Sequence, residues 1–500
     1  MIKRYLCFIL ALLCVLSFSI ACAPKDSGGR TDGTTNQADT DGDGYDPEKT
    51  ALQNALAMYN GVDLDAVKGQ EFVILSPSPG EHFYYITSST ENEVFYEEPS
   101  SDPLSNAVYN RNRKVEDALG ITIKAMWGGN WDGVNNIVTL NDGAGSAEYN
   151  TVITRMDNEM TYATNGQLLN FYDIPSMNVE NRWWDKNIVN TFTIYGNVLY
   201  VLTGDINYYD DYSVQAVLFN KSMSDELKLD YPYQAVRDGT WTVDMMTQMA
   251  MVAKADSNGD DVYTPGVDRL GLADDMDCVL HFLYPYGQMM STVNADGEPE
   301  VVWPNDINTP IVEKIVDIFT SDYVSRDTGN NLSYFSKNKI YMYCSLIGSL
   351  PGLRNMETDF GIVPMPKGDA SMEGYRAYMS NGWSTSYAVP KVLSSDKAYD
   401  TGMILECMSA ASADIITPAL YDQLLEAKYI RDEESKEMLS YILDSKVYDW
   451  AGDLAWASSI RNVYQSLPNT GAGGYARSMK KVENTVNAAL KELCDGLRPK

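Results

Sequence analysis

From about residue 70 onward the apolar positions alternate between short runs and helical spacing. EFVILSP reads as a strand, and DPLSNAVYNRNRKVEDALG carries apolar residues one helical face apart, ending at Gly120 before a second strand, ITIKAMW. YNTVITRM follows as a strand, and EMTYATNGQLLNF as a helix and a short strand. This βαβ alternation predicts an α/β lobe with a largely parallel sheet. NVLYVLTGD and SVQAVLFNK predict further strands, and TWTVDMMTQMAMVAKA a helix with Thr242 as N-cap and Trp241 as the staple residue before the first turn. Beyond about residue 395 the pattern is mostly helical, as in TGMILECMSAASADII and EESKEMLSYILD. No repeat of 20–50 residues is visible, which excludes a solenoid.

The first 21 residues follow a different logic. Lys3 and Arg4 precede 17 uncharged residues, Tyr5 to Ala21, and Cys22 follows the small residue Ala21. A positive start, an apolar core and a small-residue cleavage point predict a secretory signal over 1–21. The run is at the short limit for a membrane span and ends in a Ser/Gly/Asp tract without a basic stop. Residues 22–50 hold almost no large apolar side chains and predict a flexible linker. Within it Asp39, Asp41 and Asp43 imitate the start of a calcium loop, but Thr50 stands where the bidentate Glu belongs.

Composition narrows the class. The 500 residues include 69 Asp plus Glu against 38 Lys plus Arg, a net charge of −31, which repels phosphate backbones and argues against nucleic acid as a partner. Only two His occur, His82 and His281, too far apart for a local metal or acid–base motif. Beyond Cys22, Cys278, Cys344, Cys407 and Cys494 match no zinc or disulfide spacing and are expected as buried thiols.

Several segments resemble, in order, the extracellular solute-binding lipoproteins that feed ABC importers, particularly the large carbohydrate-type group of Gram-positive bacteria. They are DPLSNAVYNRNRKVEDALGITI, YNTVITRM with NGQLLNFYDIP, RWWDK, GNVLYVLTGD, VLFNKSM, DGTWTVDMM, DSNGDDVYTPGVDRLGL, DFGIVPMPK, STSYAVPK, ILECMSA and IITPALYDQLLEAKYIRDEESKEML, together covering most of 70–445. FSIAC resembles a lipobox, with Ser19 where Leu is usual, which implies lipidation of Cys22 and a membrane anchor. The resemblance implies an α/β, two-lobed, periplasmic-binding-protein-like fold (type II-like) with additional C-terminal helices. It implies one lobe over 68–200 plus 345–383 and another over 201–344 plus 384–500. By the same analogy GNVLYVLTGD is the first crossing between lobes, KNKIYMYCS the return and NGWSTSYAVP the last. It further implies a non-enzymatic, monomeric receptor that passes an oligosaccharide to the transmembrane subunits of an importer.

A sugar cleft needs carboxylates and amides interleaved with Trp or Tyr, and 34 Tyr and 9 Trp against 12 Phe lean slightly that way. Loops after predicted strands supply the candidates. They are Trp127, Asn130, Trp131 and Asp132, then Arg155, Asp157 and Asn158, then Asp205, Asn207, Tyr208 and Tyr209, and finally Asn381, Trp383 and Ser384, with Tyr286 added from the second lobe. Trp183, Trp184 and Trp241 read as core residues. In DSNGDDVYTPGVD the residues Asp256, Asn258, Asp260, Val262 and Asp268 form most of a calcium loop, though Asp261 occupies the position that usually takes Gly and the twelfth-position Glu is missing. A structural calcium and a plain Asx-rich turn both fit, and no cofactor is required. The competing classes are a secreted glycoside hydrolase, which two carboxylates would suffice to build, and a binder of peptide or polyamine. No GxSxG, HExxH or P-loop pattern is present in the sequence.

Overall fold

The computed structural model of the protein describes residues 45–81, 92–275, 277–379, 382, 384–426, 432–452 and 454–499. Contacts divide the chain after Ala38, and everything described belongs to the unit Asp39–Lys500. The signal segment, Cys22, the Asp39–Asp41–Asp43 stretch, His82, Asn381 and Trp383 lie outside the described residues.

The first sheet grows from the predicted βαβ alternation. Strand β1 (Glu71–Ser76) pairs in parallel with β2 (Thr122–Trp127) and with β3 (Thr151–Arg155). The helix Pro103–Leu119 joins β1 to β2. Asp102 caps it by accepting the Ser105 N–H, Pro103 opens its first turn, and Gly120 ends it at φ 70°, a left-handed turn that suits a residue without Cβ. Asn130 likewise caps the helix Trp131–Ala144, which leads to β3.

The remaining strands are, in chain order, β4 (Gln215–Asn220), β5 (Leu270–Ala273), β6 (Ser291–Val293), β7 (Pro299–Val301), β8 (Val324–Ser325), β9 (Ile340–Leu346), β10 (Phe360–Pro364), β11 (Ala377–Tyr378), β12 (Thr385–Ala388) and β13 (Lys446–Val447). A second sheet has the order β10-β4-β9-β5-β8, while β12 joins the edge of the first to give β12-β3-β1-β2. Two small ribbons, β6 with β7 and β11 with β13, complete the set.

The strand pairings cross the expected lobe boundaries. Residues 345–383 were expected in the first lobe, yet β10 pairs with β4 in the second sheet. KNKIYMYCS, expected as a crossing, is largely β9, flanked by β4 and β5 in the middle of that sheet. Residues 384–500 were expected in the second lobe, but β12 pairs with β3, and the helix Ser395–Glu426 packs on Pro103–Leu119 and Ala51–Ala57 in the first. A buried strand and a crossing strand are both short apolar runs, and only long-range pairing separates them. NVLYVLTGD also departs from expectation, contributing isolated bridges such as Leu202 to Tyr387 and Gly204 to Trp184 in place of a strand.

Buried polar contacts explain the twin tryptophans. The indole N–H groups of Trp183 and Trp184 donate to Glu406 at 2.6 and 3.1 Å, and the same carboxylate accepts from Asn178 N at 2.7 Å and Asn181 Nδ2 at 2.9 Å. RWWDK therefore fastens the first lobe to its long helix. That helix is long and apolar enough to cross a membrane, but it is mostly buried within the protein, as a core helix is. Trp241 is fully buried and donates to Pro364 O at 2.9 Å. The additional helices near the carboxyl end are Glu433–Leu443, which packs on β10, Ser458–Thr470, and Tyr475–Leu497, which touches the helix Met156–Thr164 of the first lobe and Ser458–Thr470 of the second. The four described cysteines, Cys278, Cys344, Cys407 and Cys494, are free and buried.

Candidate ligand site

Because β1, β2 and β3 run parallel, they end at one edge, and β12, running opposite, begins there. Thr385 is the register partner of Arg155. That edge gathers seven candidates: Trp127, Trp131, Asp132, Arg155, Asp157, Asn158 and Ser384. Trp127 is 38% exposed at the end of β2. The turn after it is held by Ser78 N donating to Gly129 O at 2.7 Å, with Gly129 at φ 82°. Trp131 is half-buried and Asp132 exposed in the first turn of the following helix. Arg155 Nε donates to Asp157 Oδ1 at 3.0 Å, and Asn158 N donates to the same oxygen at 2.9 Å. Burial raises the Asp157 carboxyl above the ordinary range in spite of Arg155. Ser384 is buried.

The candidates from the first crossing are buried and engaged by protein groups, some of them through Thr385 at that edge. Asp205 is 6% exposed and accepts from Thr417 Oγ1 at 2.7 Å. Tyr208, 1% exposed, packs edge-on against Tyr209 and Tyr212, with ring centroids 4.9 and 5.8 Å away. Asn207 donates to Thr385 Oγ1 at 3.1 Å. Glu93, which the sequence reading missed, binds this segment together: Oε2 accepts from Tyr208 N at 2.9 Å and Tyr209 N at 3.3 Å, and Oε1 accepts from Thr385 Oγ1. Tyr286 sits in the second lobe, its ring against Gly368, where an added Cβ would come within 2.3 Å, and with Lys314 Nζ 5.4 Å from its centroid. Its neighbour Tyr284 is fully buried and stacks on Tyr378.

The edge of the second sheet carries a cluster that also escaped sequence reasoning, because His281 has no histidine partner nearby in the chain. His281 Nδ1 lies 2.9 Å from Asp274 Oδ1 and 3.7 Å from Asp275 Oδ1, and its Nε2 lies 3.1 Å from Gln215 Nε2. Burial alone would lower the imidazole pKa, but the Asp275 and Asp274 carboxylates raise it to about 10. Asp274 is itself pushed up to about 6 by burial, against the pull of His281. A protonated ring donates from both nitrogens, and the acceptor that a flipped Gln215 amide would bring to Nε2 is Oε1, which has no partner among the described residues.

The acidic loop lies in the second lobe. Asp256 Oδ1 accepts from Asn258 N at 3.1 Å and Gly259 N at 2.7 Å, and Oδ2 from Asp261 N at 2.9 Å. These amides hold the Asp256 carboxyl below its ordinary range. Asn258 Nδ2 donates to Asp260 Oδ2 at 2.9 Å, Val262 N to Asp260 Oδ1 at 2.8 Å, and Ser257 N and Thr264 N to the buried Asp268 at 2.7 and 2.8 Å.

No protein-family profile and no curated protein sequence matches the chain. Solved structures do match. UspC from M. tuberculosis superposes with a TM-score of 0.54 at 14% identity, over 84% of this chain and 100% of that one. A family 1 extracellular solute-binding protein from Bifidobacterium longum subsp. infantis gives 0.53 at 15%, over 84% and 100%. An ABC substrate-binding protein from Listeria monocytogenes in complex with cycloalternan gives 0.52 at 11%, over 85% and 100%. The likeness is one of fold. The chain has the mixed α/β, two-lobed architecture of substrate-binding proteins, with helices added toward its carboxyl end.

Proposed function

We propose that this protein is an exported, lipid-anchored receptor that captures a small solute, an oligosaccharide, and hands it to an ABC importer in the same membrane. The observation that carries the reading is the exposed indole of Trp127 at the strand-end edge of a two-lobed fold shared with substrate-binding proteins, one of them in complex with cycloalternan. Open α/β sheets bind ligands at the carboxyl ends of their strands, and an exposed aromatic face beside carboxylates and an arginine suits the C–H faces and hydroxyls of a sugar. Contacts from the solute to both lobes would stabilise the closed form over the open one, and the importer would distinguish the two. On this reading Cys22 carries the lipid, residues 22–50 are the tether, its last residues held to the fold where Asp46 N donates to Asn54 Oδ1 at 2.8 Å and Thr50 caps the helix Ala51–Ala57, and the chain performs no catalysis. The loop Asp256–Asp268 is proposed as a structural calcium site with no part in capture.

The test is a thermal-shift screen of the protein against mono- and oligosaccharides, peptides and polyamines, followed by X-ray scattering with the best ligand. A saccharide that raises the melting temperature and reduces the radius of gyration supports the reading. A shift confined to peptides or polyamines, or the appearance of cleaved products, overturns it.

A further inference from the structure

A cavity of about 270 Å³ lies beside the β11–β13 ribbon. The helix Lys186–Phe192 lines it with Asn187, the loop before β11 with Glu373, Tyr375 and Arg376, and the approach to β13 with Asp444. Its second cation, Lys446, is already engaged, because the buried ammonium pairs with Asp210 at 2.8 Å and Asp211 at 2.5 Å.

Arg376 is not engaged in this way. Its Nε is buried without a hydrogen-bond partner, and the guanidinium's contact among the described residues is Met289 Sδ at 3.6 Å, a weak acceptor. A half-buried guanidinium with an unmet buried donor can take acceptors from a guest in place of water. A bare anion suits the cavity poorly, since Glu373 and Asp444 line it too. A neutral polyol satisfies both signs, its hydroxyl oxygens accepting from Arg376 and its O–H groups donating to the carboxylates. The half-buried Tyr375 ring is held in place by its O–H donating to Val236 O at 2.9 Å, by the edge-on ring of Tyr441 at 6.1 Å and by Lys367 Nζ 5.1 Å from its centroid, so the surface it keeps toward the cavity is fixed for contact with C–H groups. The volume falls just below the roughly 300–1,000 Å³ of sites for drug-sized ligands, which suits a single sugar ring.

We propose that this cavity is a subsite for one neutral pyranose unit, with Arg376 as donor, Glu373 and Asp444 as acceptors and Tyr375 as platform. The assignment rests on the receptor reading above and adds to it an anchoring point that shares no residue with the Trp127 edge.

Isothermal titration calorimetry of the full chain against maltose, maltotriose, maltotetraose, cellobiose and xylobiose, with glucuronate as the acidic probe, tests it. Arg376→Ala is expected to weaken the saccharide that the wild type binds by about tenfold or more, the size of a lost hydrogen bond to a charged group. Glu373→Gln, at an exposed position, should weaken it several-fold while leaving the melting temperature unchanged, which separates binding from folding should the arginine variant fail to fold. A saccharide bound equally well by the wild type and the variants overturns the subsite and leaves the receptor reading standing. Binding of none of the saccharides by the wild type overturns both. Preference for glucuronate over the neutral sugars overturns the neutral assignment.

Discussion

The Glu93 carboxylate accepts the backbone N–H of Tyr208 at 2.9 Å. Glu93 stands between β1 and the helix Pro103–Leu119 in the chain, whereas Tyr208 stands on the segment that leaves the first lobe for β4. With Tyr209 N and Thr385 Oγ1 on the same carboxylate, three separate stretches of chain meet on one fully buried acid.

Burial pushes Glu93 up to about 7. Between its ordinary value of 4.5 and about 7 the folded chain keeps a proton that the unfolded chain releases, so stability falls as pH rises through that window, by about 3 kcal/mol in all. Glu93→Gln removes the titration and can still accept the two amides. Urea unfolding from pH 4.5 to 8 should show a steeper decline for the wild type than for the variant. Parallel curves would mean that the carboxyl ionises in the fold as it does in water.

Glu406→Ala should cost about 3–5 kcal/mol, because it strands two buried indole N–H groups together with Asn178 N and Asn181 Nδ2. Glu406→Gln keeps one acceptor oxygen and should cost less. Chemical denaturation of both variants decides it, and a loss below about 1 kcal/mol for the alanine variant would contradict the clasp.

His281 should remain protonated at pH 8. Its folded pKa is raised to about 10, so the stability it contributes is complete below about 6.5 and is lost as pH rises through about 10. The chain has only two histidines, which makes nitrogen-detected NMR of the imidazoles simple to assign. A ring titrating at or below 6.5 would remove the carboxylates as its stabilising partners.

Trp127→Ala should weaken saccharide binding by about 1–3 kcal/mol while lowering the melting temperature only modestly, since 38% of the residue is already exposed. Calorimetry and a melt of the same sample check both halves. An unaltered affinity would take Trp127 out of the site.

Calcium should raise the melting temperature of the wild type and not that of a variant carrying Asp256→Asn and Asp260→Asn. The loop gathers Asp256, Asp260, Asp261 and Asp268 with its backbone already turned by Asx bonds, and a hard divalent cation would relieve their repulsion. Identical melts in calcium and in chelator would mark the loop as a plain Asx-rich turn.

Local chemistry was legible from the residues alone. Apolar period marked β1 to β3 and the helix that Gly120 ends, and Thr242 was legible as an N-cap, because such residues act within a few residues of their own positions; the caps Asp102 and Asn130 and the helix Trp131–Ala144 went unread. The edge that holds Trp127, Arg155 and Asp157 followed from strand direction. The partition into sheets did not, because β9, β10 and β12 are short apolar runs whose sheet is chosen by partners about seventy to more than two hundred residues away. Nor did the fates of Asp205, Tyr208, Glu93 and His281. Whether a polar side chain meets solvent, a backbone amide or a counter-charge depends on which distant segments fold over it, and that information resides in packing, not in spacing.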